Sequence, residues 1–201
     1  KQPVDDDILE PIDELNTEEK TLVDLIQNIQ GSKTDNKKDF KQILKALNEL
    51  KDTNIIFTKA NSDAGGIAIN KMIDEYVKSR PNCIAFASLG SLRYLSALKH
   101  VDIILGNSSS GLLEAPSMGV ATINIGPRQD GRLKAPSIID IKPIKTQILK
   151  AIKLAYSPKF QKIVQKKQNP YGDSKPSKTI VKVLKNINLK DITVKRFKDL
   201  V

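Results

Sequence analysis

The stretch VDIILGNSSSGLLEAPSMGVATINIG, residues 101–126, contains the pattern that decides the fold. The apolar run VDIILG predicts a buried strand, SGLLEAPSM predicts a short helix, and ATINIG predicts a second buried strand. Between the first strand and the helix lie three consecutive serines, Ser108, Ser109 and Ser110. A serine run at this point could cap the helix, or it could present hydroxyls and backbone amides to an anion.

The segments on both sides repeat the alternation of strand and helix. Further strands are predicted for NIIFTKA (54–60), CIAFA (83–87) and SIIDI (137–141), and lysine-rich helices follow the last of these. Amphipathic helices are predicted for GGIAINKMIDEYVKSR (65–80) and SLRYLSALKH (91–100). Apolar strands separated by helices are typical of a parallel sheet covered on both faces. We therefore predict an α/β fold with a doubly wound, Rossmann-like parallel sheet.

Two helices are predicted before residue 54. Asn16 and Glu19 resemble a capping box, and Gly31 would end the helix that follows. The apolar positions of this leading helix are Leu22, Leu25, Ile26 and Ile29. Those of the second helix are Phe40, Ile43, Leu44, Leu47 and Leu50. We divide the chain into a linker and leading helix (1–34), a Rossmann-like domain (35–187) and a carboxyl-terminal tail (188–201).

The composition indicates a globular domain that lacks a membrane span. The chain has 201 residues, of which 39% are hydrophobic and 28% charged, enough for a sizeable core. No apolar run approaches the roughly 20 residues that cross a bilayer, and KQPVDDDILE does not resemble a signal peptide, so we expect a cytoplasmic protein. The single cysteine, Cys83, excludes an internal disulfide and lies in an apolar run that predicts core packing.

The net charge of +10 raises the possibility of a nucleic-acid partner. The lysines crowd the segment 142–198, which has few aromatic residues and no nucleic-acid motif. A solvated lysine-rich surface explains the charge better, so we predict no nucleic-acid partner. We also predict neither a cofactor nor a metal, because histidine, cysteine and acidic residues show no ligand spacing.

Four polar loops follow the predicted strands: KANSDAGG, ASLGS, GNSSSG and IGPRQDGR. Open parallel sheets bind ligands at the carboxyl ends of their strands. In the serine loop, Ser108, Ser109 and Ser110 would direct amides and hydroxyls at an anion from the positive end of the helix dipole, and Gly106 and Gly111 would allow a turn and a close approach to the ligand. The alternative is that one serine caps the helix and the others are incidental.

Acidic, basic and amide side chains accompany the serine loop. Glu114 could accept hydrogen bonds from the two hydroxyls of a ribose, although an exposed helical acid is the simpler alternative. Arg128 and Arg132 could grip a diphosphate. Asn61 and Asp63 could supply further hydrogen-bonding groups to the same cleft. Together these residues predict a pocket for a nucleoside diphosphate.

The quoted motifs resemble those of a known enzyme family. GNSSSGLLEAPSMGVATINIGPRQDGR is similar to the signature of the hydrolysing UDP-N-acetylglucosamine 2-epimerases, which open sialic-acid and related sugar pathways. ANSDAGG, SLGSLRYLSALKHVDIILGN and NPYGD also resemble family motifs, in the family's order. The similarity extends from about Asp39 to about Asn186.

This resemblance implies two Rossmann-like domains of glycosyltransferase-B type, of which the chain is the second and UDP-binding one. It assigns Ser108 and Ser109 to the UDP phosphates, Glu114 to the ribose, Arg128 to the diphosphate and Asn61 to the substrate. The implied reaction eliminates UDP to leave a glycal and then adds water, giving N-acetylmannosamine. The implied partners are a UDP-sugar substrate, the missing amino-terminal domain and, in the full-length protein, a second copy.

The chain departs from the family where a histidine and a proline are expected before the helix that contains Phe40, since that interval is GSKTDNKKD. The single histidine, His100, ends a predicted helix and is expected to be exposed rather than a catalytic base. No catalytic residue is therefore assigned, and the chain alone is expected to be inactive, either as a piece of a longer enzyme or as a shortened relative. The alternatives are a glycosyltransferase of the same architecture, an inactive nucleotide-sugar-binding module and a nucleic-acid binder.

Overall fold

Six parallel strands form one sheet in the computed structural model, among the residues that it describes. The described residues are 20–23, 36–50, 52–60, 65–172 and 176–188. The strands are β1 (Lys20–Val23), β2 (Thr53–Thr58), β3 (Cys83–Phe86), β4 (Ile103–Gly106), β5 (Ala121–Ile125) and β6 (Ile138–Ile141). Every predicted strand is therefore present, and β1 is an additional one.

The order of the strands across the sheet is β3-β2-β1-β4-β5-β6, and every neighbouring pair is parallel. The direction of winding reverses between β1 and β4, so the loops after these two strands flank a crevice at the switch point. The prediction of a doubly wound, Rossmann-like sheet is confirmed.

Helices cover both faces of this sheet. They are α1 (Asn36–Leu47), α2 (Gly66–Lys78), α3 (Gly90–Ala97), α4 (Ser110–Leu113), α5 (Ala115–Met118), α6 (Lys145–Ala155), α7 (Pro158–Val164) and α8 (Pro176–Asn186). A single 3₁₀ turn, Pro127–Gln129, follows β5 in this part of the chain. The predicted lysine-rich helices after β6 are thus confirmed as α6, α7 and α8.

The two faces of the sheet carry two hydrophobic clusters. Ile103 and Leu105 of β4 join the larger cluster, which α1, α2, α6 and α7 cover, whereas Ile104 joins a smaller cluster beneath α3 and α5. This alternation follows from the two-residue period of a strand. Cys83 is buried in the larger cluster, which confirms its predicted place in the core. The predicted inward face of α1 is also confirmed, since Phe40, Ile43 and Leu47 are fully buried and the partly buried Leu44 packs against the same cluster.

The leading helix predicted around Leu22 is wrong where the structure describes it. Lys20–Val23 forms β1, which pairs with β2 on one side and β4 on the other. A central strand gains backbone hydrogen bonds along both edges, and this pairing outweighs a helical spacing of a few apolar residues. These four residues therefore belong to the sheet and not to a linker. The capping box and the rest of the predicted leading helix lie outside the described residues.

The helix predicted for SGLLEAPSM is instead two four-residue helices, α4 and α5, with Glu114 between them. Pro116 lacks the N–H that would donate to the carbonyl of Leu112 in a continuous helix. The α helix therefore breaks, and Glu114 lies at the break with φ −100° and ψ −46°.

Candidate functional site

The loops that follow the strands gather at one edge of the sheet, because all six strands are parallel. The serine loop, residues 107–109, follows β4 beside the switch point, and the arginine loop, residues 126–134, follows the neighbouring strand β5. Asn61 and Asp63 lie outside the described residues, so their predicted role stays a prediction. His100 is exposed, as the sequence predicts.

The three serines have different surroundings. Ser108 is 7% exposed, and its Oγ accepts a hydrogen bond from the backbone N–H of Ser110 at 3.3 Å. Ser109 occupies the N-cap position of α4 but makes no side-chain cap hydrogen bond. Within the described residues the partly exposed Ser109 hydroxyl has no hydrogen-bond partner, so it is the serine hydroxyl most available to an anion.

Two expectations about this loop need correction. Because α4 has only four residues, few aligned peptide dipoles add up behind the serines, and the amides and hydroxyls must carry most of any attraction for an anion. Gly111 does not provide a close approach to a ligand. A Cβ at Gly111 would lie 2.7 Å from Cγ2 of Thr122, so glycine is needed there because α4 packs tightly against β5.

The arginine loop is tied to the serine loop. Gln129 donates from Nε2 to the carbonyl oxygen of Asn107 at 2.6 Å, and Arg128 donates from Nη1 to the same oxygen at 3.5 Å. Asn107 and Gln129 are 3% and 2% exposed, and their side-chain oxygens lack hydrogen-bond partners among the described residues. These contacts place the Arg128 guanidinium beside the serine loop, as a shared phosphate site requires.

Glu114 has a carboxylate oxygen in an unusual environment. Oε2 is inaccessible to solvent and has no hydrogen-bond partner among the described residues. An acceptor buried without a donor is costly, and a ligand hydroxyl would relieve that cost. This observation disfavours the alternative of a fully exposed helical acid.

Tyr94 of α3 contacts the candidate site, although no motif in the sequence indicates it. Its hydroxyl forms a hydrogen bond with Oγ of Ser110. Burial raises the pKa of Tyr94 to about 12; the Ser110 hydrogen bond lowers the pKa and the nearby Glu114 charge raises it. Tyr94 therefore links α3 to the first turn of α4. Helical periodicity placed Tyr94 on α3, but no sequence signal pairs it with a serine in another loop.

The raised pKa of Tyr94 predicts an alkaline loss of stability. An unfolded phenol ionises near pH 10, whereas this phenol ionises near pH 12 in the folded chain, so the unfolded state releases its proton first as pH rises. Between pH 9 and 11 Tyr94 alone should lower the free energy of unfolding by about 1 kcal/mol. Urea unfolding at several pH values should show a smaller alkaline loss in Tyr94→Phe.

Tyr156 provides an internal reference for that measurement. Burial, and then the neighbouring Asp102, also raise the pKa of Tyr156. Because Tyr156 is present in both the wild type and Tyr94→Phe, its contribution to the alkaline loss of stability is the same in both. An equal dependence of stability on pH in the wild type and Tyr94→Phe would contradict the assignment of the alkaline loss to Tyr94.

The described residues include neither a cluster of metal ligands nor a helix that could cross a membrane. No group of three or more histidine, cysteine or acidic side chains there could hold a metal ion. None of the helices in the described ranges is both long and apolar enough to cross a membrane.

The sheet order and the switch point between β1 and β4 place the domain in the doubly wound, Rossmann-like class of α/β folds. Residues 25–185 match the protein family described as UDP-N-acetylglucosamine 2-epimerase. The chain belongs to the UDP-N-acetylglucosamine 2-epimerase family.

Two curated relatives support this assignment. The chain is 40% identical to a GDP/UDP-N,N′-diacetylbacillosamine 2-epimerase (hydrolyzing) from Campylobacter jejuni, over 81% of this chain and 42% of that protein. It is 36% identical to polysialic acid biosynthesis protein P7 from Escherichia coli, over 79% of this chain and 41% of that protein. The chain thus spans less than half the length of these relatives.

A solved structure supports the fold. The S. aureus MnaA–UDP co-structure matches with a TM-score of 0.71 at 20% identity, over 96% of this chain and 51% of that chain. At this identity the match concerns the fold alone, and it agrees with a Rossmann-like half of a glycosyltransferase-B-type architecture.

Proposed function

We propose that the chain is the UDP-binding half of a hydrolysing UDP-N-acetylglucosamine 2-epimerase, which converts UDP-N-acetylglucosamine and water to N-acetylmannosamine and UDP. Membership of the family supports this proposal, as do the names of the two curated relatives. The chain spans less than half of those relatives, so the complete reaction requires the rest of the protein. Alone, the chain binds UDP without turnover.

Each residue of the site has a proposed role. The loop of Ser108 and Ser109 binds the phosphates through amide and hydroxyl donors, with Ser109 making the direct hydroxyl contact. Arg128 neutralises the diphosphate from the neighbouring loop. Glu114 accepts hydrogen bonds from the ribose hydroxyls, and Asn61 contacts the substrate from the loop after β2.

The observation that carries the proposal is the environment of Glu114. Its Oε2 is buried without a donor among the described residues, and Glu114 lies one turn beyond the serine loop. A ribose attached to a phosphate in that loop would bring two hydroxyl donors to this carboxylate. A protein that binds free phosphate has no comparable use for a buried acidic acceptor at this place.

The chemistry that these residues support is departure of UDP. When the bond between the sugar and the diphosphate breaks, negative charge develops on the leaving oxygen. Arg128 and the serine-loop donors would stabilise that charge and so make UDP a better leaving group. Proton abstraction from the sugar requires a positioned base, which we assign to the amino-terminal half of the protein.

The proposed substrate belongs to the class of UDP-linked 2-acetamido sugars. A UDP-linked 2-acetamido sugar fits the family, and the Campylobacter relative is named for a diacetamido sugar. N-acetylglucosamine is our first candidate, with a diacetamido relative second. The predicted amino-terminal domain, the homodimer and the cytoplasmic location form part of the same proposal.

Product analysis with the complete protein distinguishes an epimerase from a glycosyltransferase, because only the epimerase releases N-acetylmannosamine without an acceptor.

Calorimetric titration with UDP and with 2′-deoxyuridine diphosphate tests the role of Glu114. A hydrogen bond to a charged acceptor contributes about 1.5 to 3 kcal/mol, so Glu114→Ala should weaken UDP binding by roughly tenfold or more. The wild type should prefer UDP to the deoxynucleotide, and Glu114→Ala should lose most of that preference.

Glu114→Gln is the matched variant, because it preserves the shape and one acceptor oxygen but removes the charge. We expect it to have an intermediate affinity for UDP. Equal affinity of the wild type and Glu114→Ala for UDP would show that the carboxylate does not bind the ribose. Absence of UDP binding by a folded wild-type chain would count against the proposed half-site.

A further inference from the structure

The loop of residues 167–172, which we call the NPY loop, packs over the break between α4 and α5. Asn169 donates from Nδ2 to the carbonyl oxygen of Leu113 at 2.9 Å and to Oγ of Ser117 at 2.7 Å. Its Oδ1 accepts a hydrogen bond from the backbone N–H of Tyr171 at 2.9 Å. The Asn169 amide thus joins one residue of α4 to one of α5, on either side of Glu114.

The same loop reaches the arginine loop. The hydroxyl of Tyr171 donates to the carbonyl oxygen of Leu133 at 3.1 Å. The NPY loop therefore contacts both the segment that contains Glu114 and the segment that contains Arg128. These are separate in sequence from one another and from residues 167–172.

Backbone geometry directs the NPY loop to this position. Lys167 has a φ of 51°, an uncommon conformation for a residue other than glycine, and it reverses the chain just after α7. The Lys167 side chain packs against Gly119 at the end of α5, where a Cβ would lie 2.9 Å from Cε of Lys167. The loop is thus held against α5 at both Lys167 and Asn169.

The helices that flank Glu114 need such a connection. A helix of four residues makes too few hydrogen bonds to be stable alone, so tertiary contacts must set the angle between α4 and α5. That angle determines where the Glu114 carboxylate points. Asn169 spans the break through both of its N–H donors, so it can fix this angle directly.

We propose that Asn169 is a positioning residue for nucleotide binding: by bridging Leu113 and Ser117 it holds Glu114 in the orientation that accepts the ribose hydroxyls. This inference rests on the proposed function. Asn169 itself does not contact the nucleotide. Its effect on binding passes through Glu114, which distinguishes it from a residue that only stabilises the fold.

Calorimetry with UDP and 2′-deoxyuridine diphosphate tests this role. Loss of the bridge should cost about 1 kcal/mol, so Asn169→Ala should bind UDP about fivefold more weakly. Its preference for UDP over the deoxynucleotide should fall as well. In a Glu114→Ala background, Asn169→Ala should have no further effect on that preference. Asn169→Asp retains the shape but replaces both donors with a charged acceptor that faces the Leu113 carbonyl oxygen, so it should lower the preference for UDP at least as much as Asn169→Ala does.

Gln168→Ala is the matched control, since Gln168 is an exposed neighbour in the same loop. It should leave both affinities unchanged. An equal loss of affinity for both nucleotides in Asn169→Ala, or an unchanged preference for UDP, would overturn the positioning role.

Hydrogen exchange without nucleotide separates this inference from the proposed function. Asn169→Ala should speed exchange of the Met118 amide, which donates to the Glu114 carbonyl across the break, whereas Gln168→Ala should not. Unchanged exchange at this amide overturns the role of Asn169. Failure of the wild type to bind UDP overturns the proposed function instead.

Discussion

Gly111→Ala is expected to lower the free energy of unfolding by about 1 to 3 kcal/mol, although alanine usually favours a helix. A Cβ at this position would lie 2.7 Å from Cγ2 of Thr122, a distance that real Cβ contacts essentially never show. Thr122 is a buried, β-branched residue of β5, which pairs with a strand on each side, so its side chain has little freedom to move. Urea unfolding of the wild type and the variant would measure the cost.

Thr122→Ser should remove most of this cost, because it deletes Cγ2 and retains the hydroxyl. That hydroxyl donates to the carbonyl oxygen of Gly111 at 2.9 Å and so also joins α4 to β5. We expect Gly111→Ala to be nearly neutral in the Thr122→Ser background. If the two substitutions destabilised additively, the steric explanation for Gly111 would be wrong.

Arg128→Ala is expected to weaken UDP binding by roughly 10- to 100-fold, which corresponds to a charge-assisted contact with a diphosphate. The hydrogen bond from Nη1 to Asn107 places this guanidinium at the serine loop. Arg128→Lys should recover only part of the affinity, because an ammonium cannot make two parallel hydrogen bonds to a phosphate. Calorimetry at two salt concentrations would measure the affinity and its electrostatic part.

Lys162→Ala is the control for Arg128→Ala, since it removes one positive charge from an exposed position on α7. This variant should bind UDP like the wild type. Similar losses in both variants would mean that net charge, rather than a specific contact, attracts the nucleotide.

Much of the fold could be predicted because its strands lie in short, mostly apolar runs of the sequence. In β4 and β5 every residue is buried, so composition alone identified them. β1 was not predicted, since its place in the sheet depends on pairing with Thr53–Ile55 and Ile103–Ile104, and those pairings leave no local signal. Long-range pairing overrode a helical spacing in this segment.

The position of the candidate site could be predicted, but its internal contacts could not. The strand ends located the serine and arginine loops, because all parallel strands end at one edge. The hydrogen bond between Tyr94 and Ser110 and the one from Gln129 to Asn107 each join segments that are far apart in sequence, so periodicity could not reveal them. The break at Glu114 follows from Pro116, whose missing N–H acts on the helix locally.

The junction between β1 and β4 has a consequence for folding kinetics. It joins residues 22–23 to residues 103–104, so the β3-β2-β1 half of the sheet meets the β4-β5-β6 half through a contact of about 80 residues in sequence separation. Contacts of this kind close large loops, and they slow folding. The serine loop lies beside that junction. The crevice is completed only when the two halves of the sheet pair, so we expect it to form late in folding.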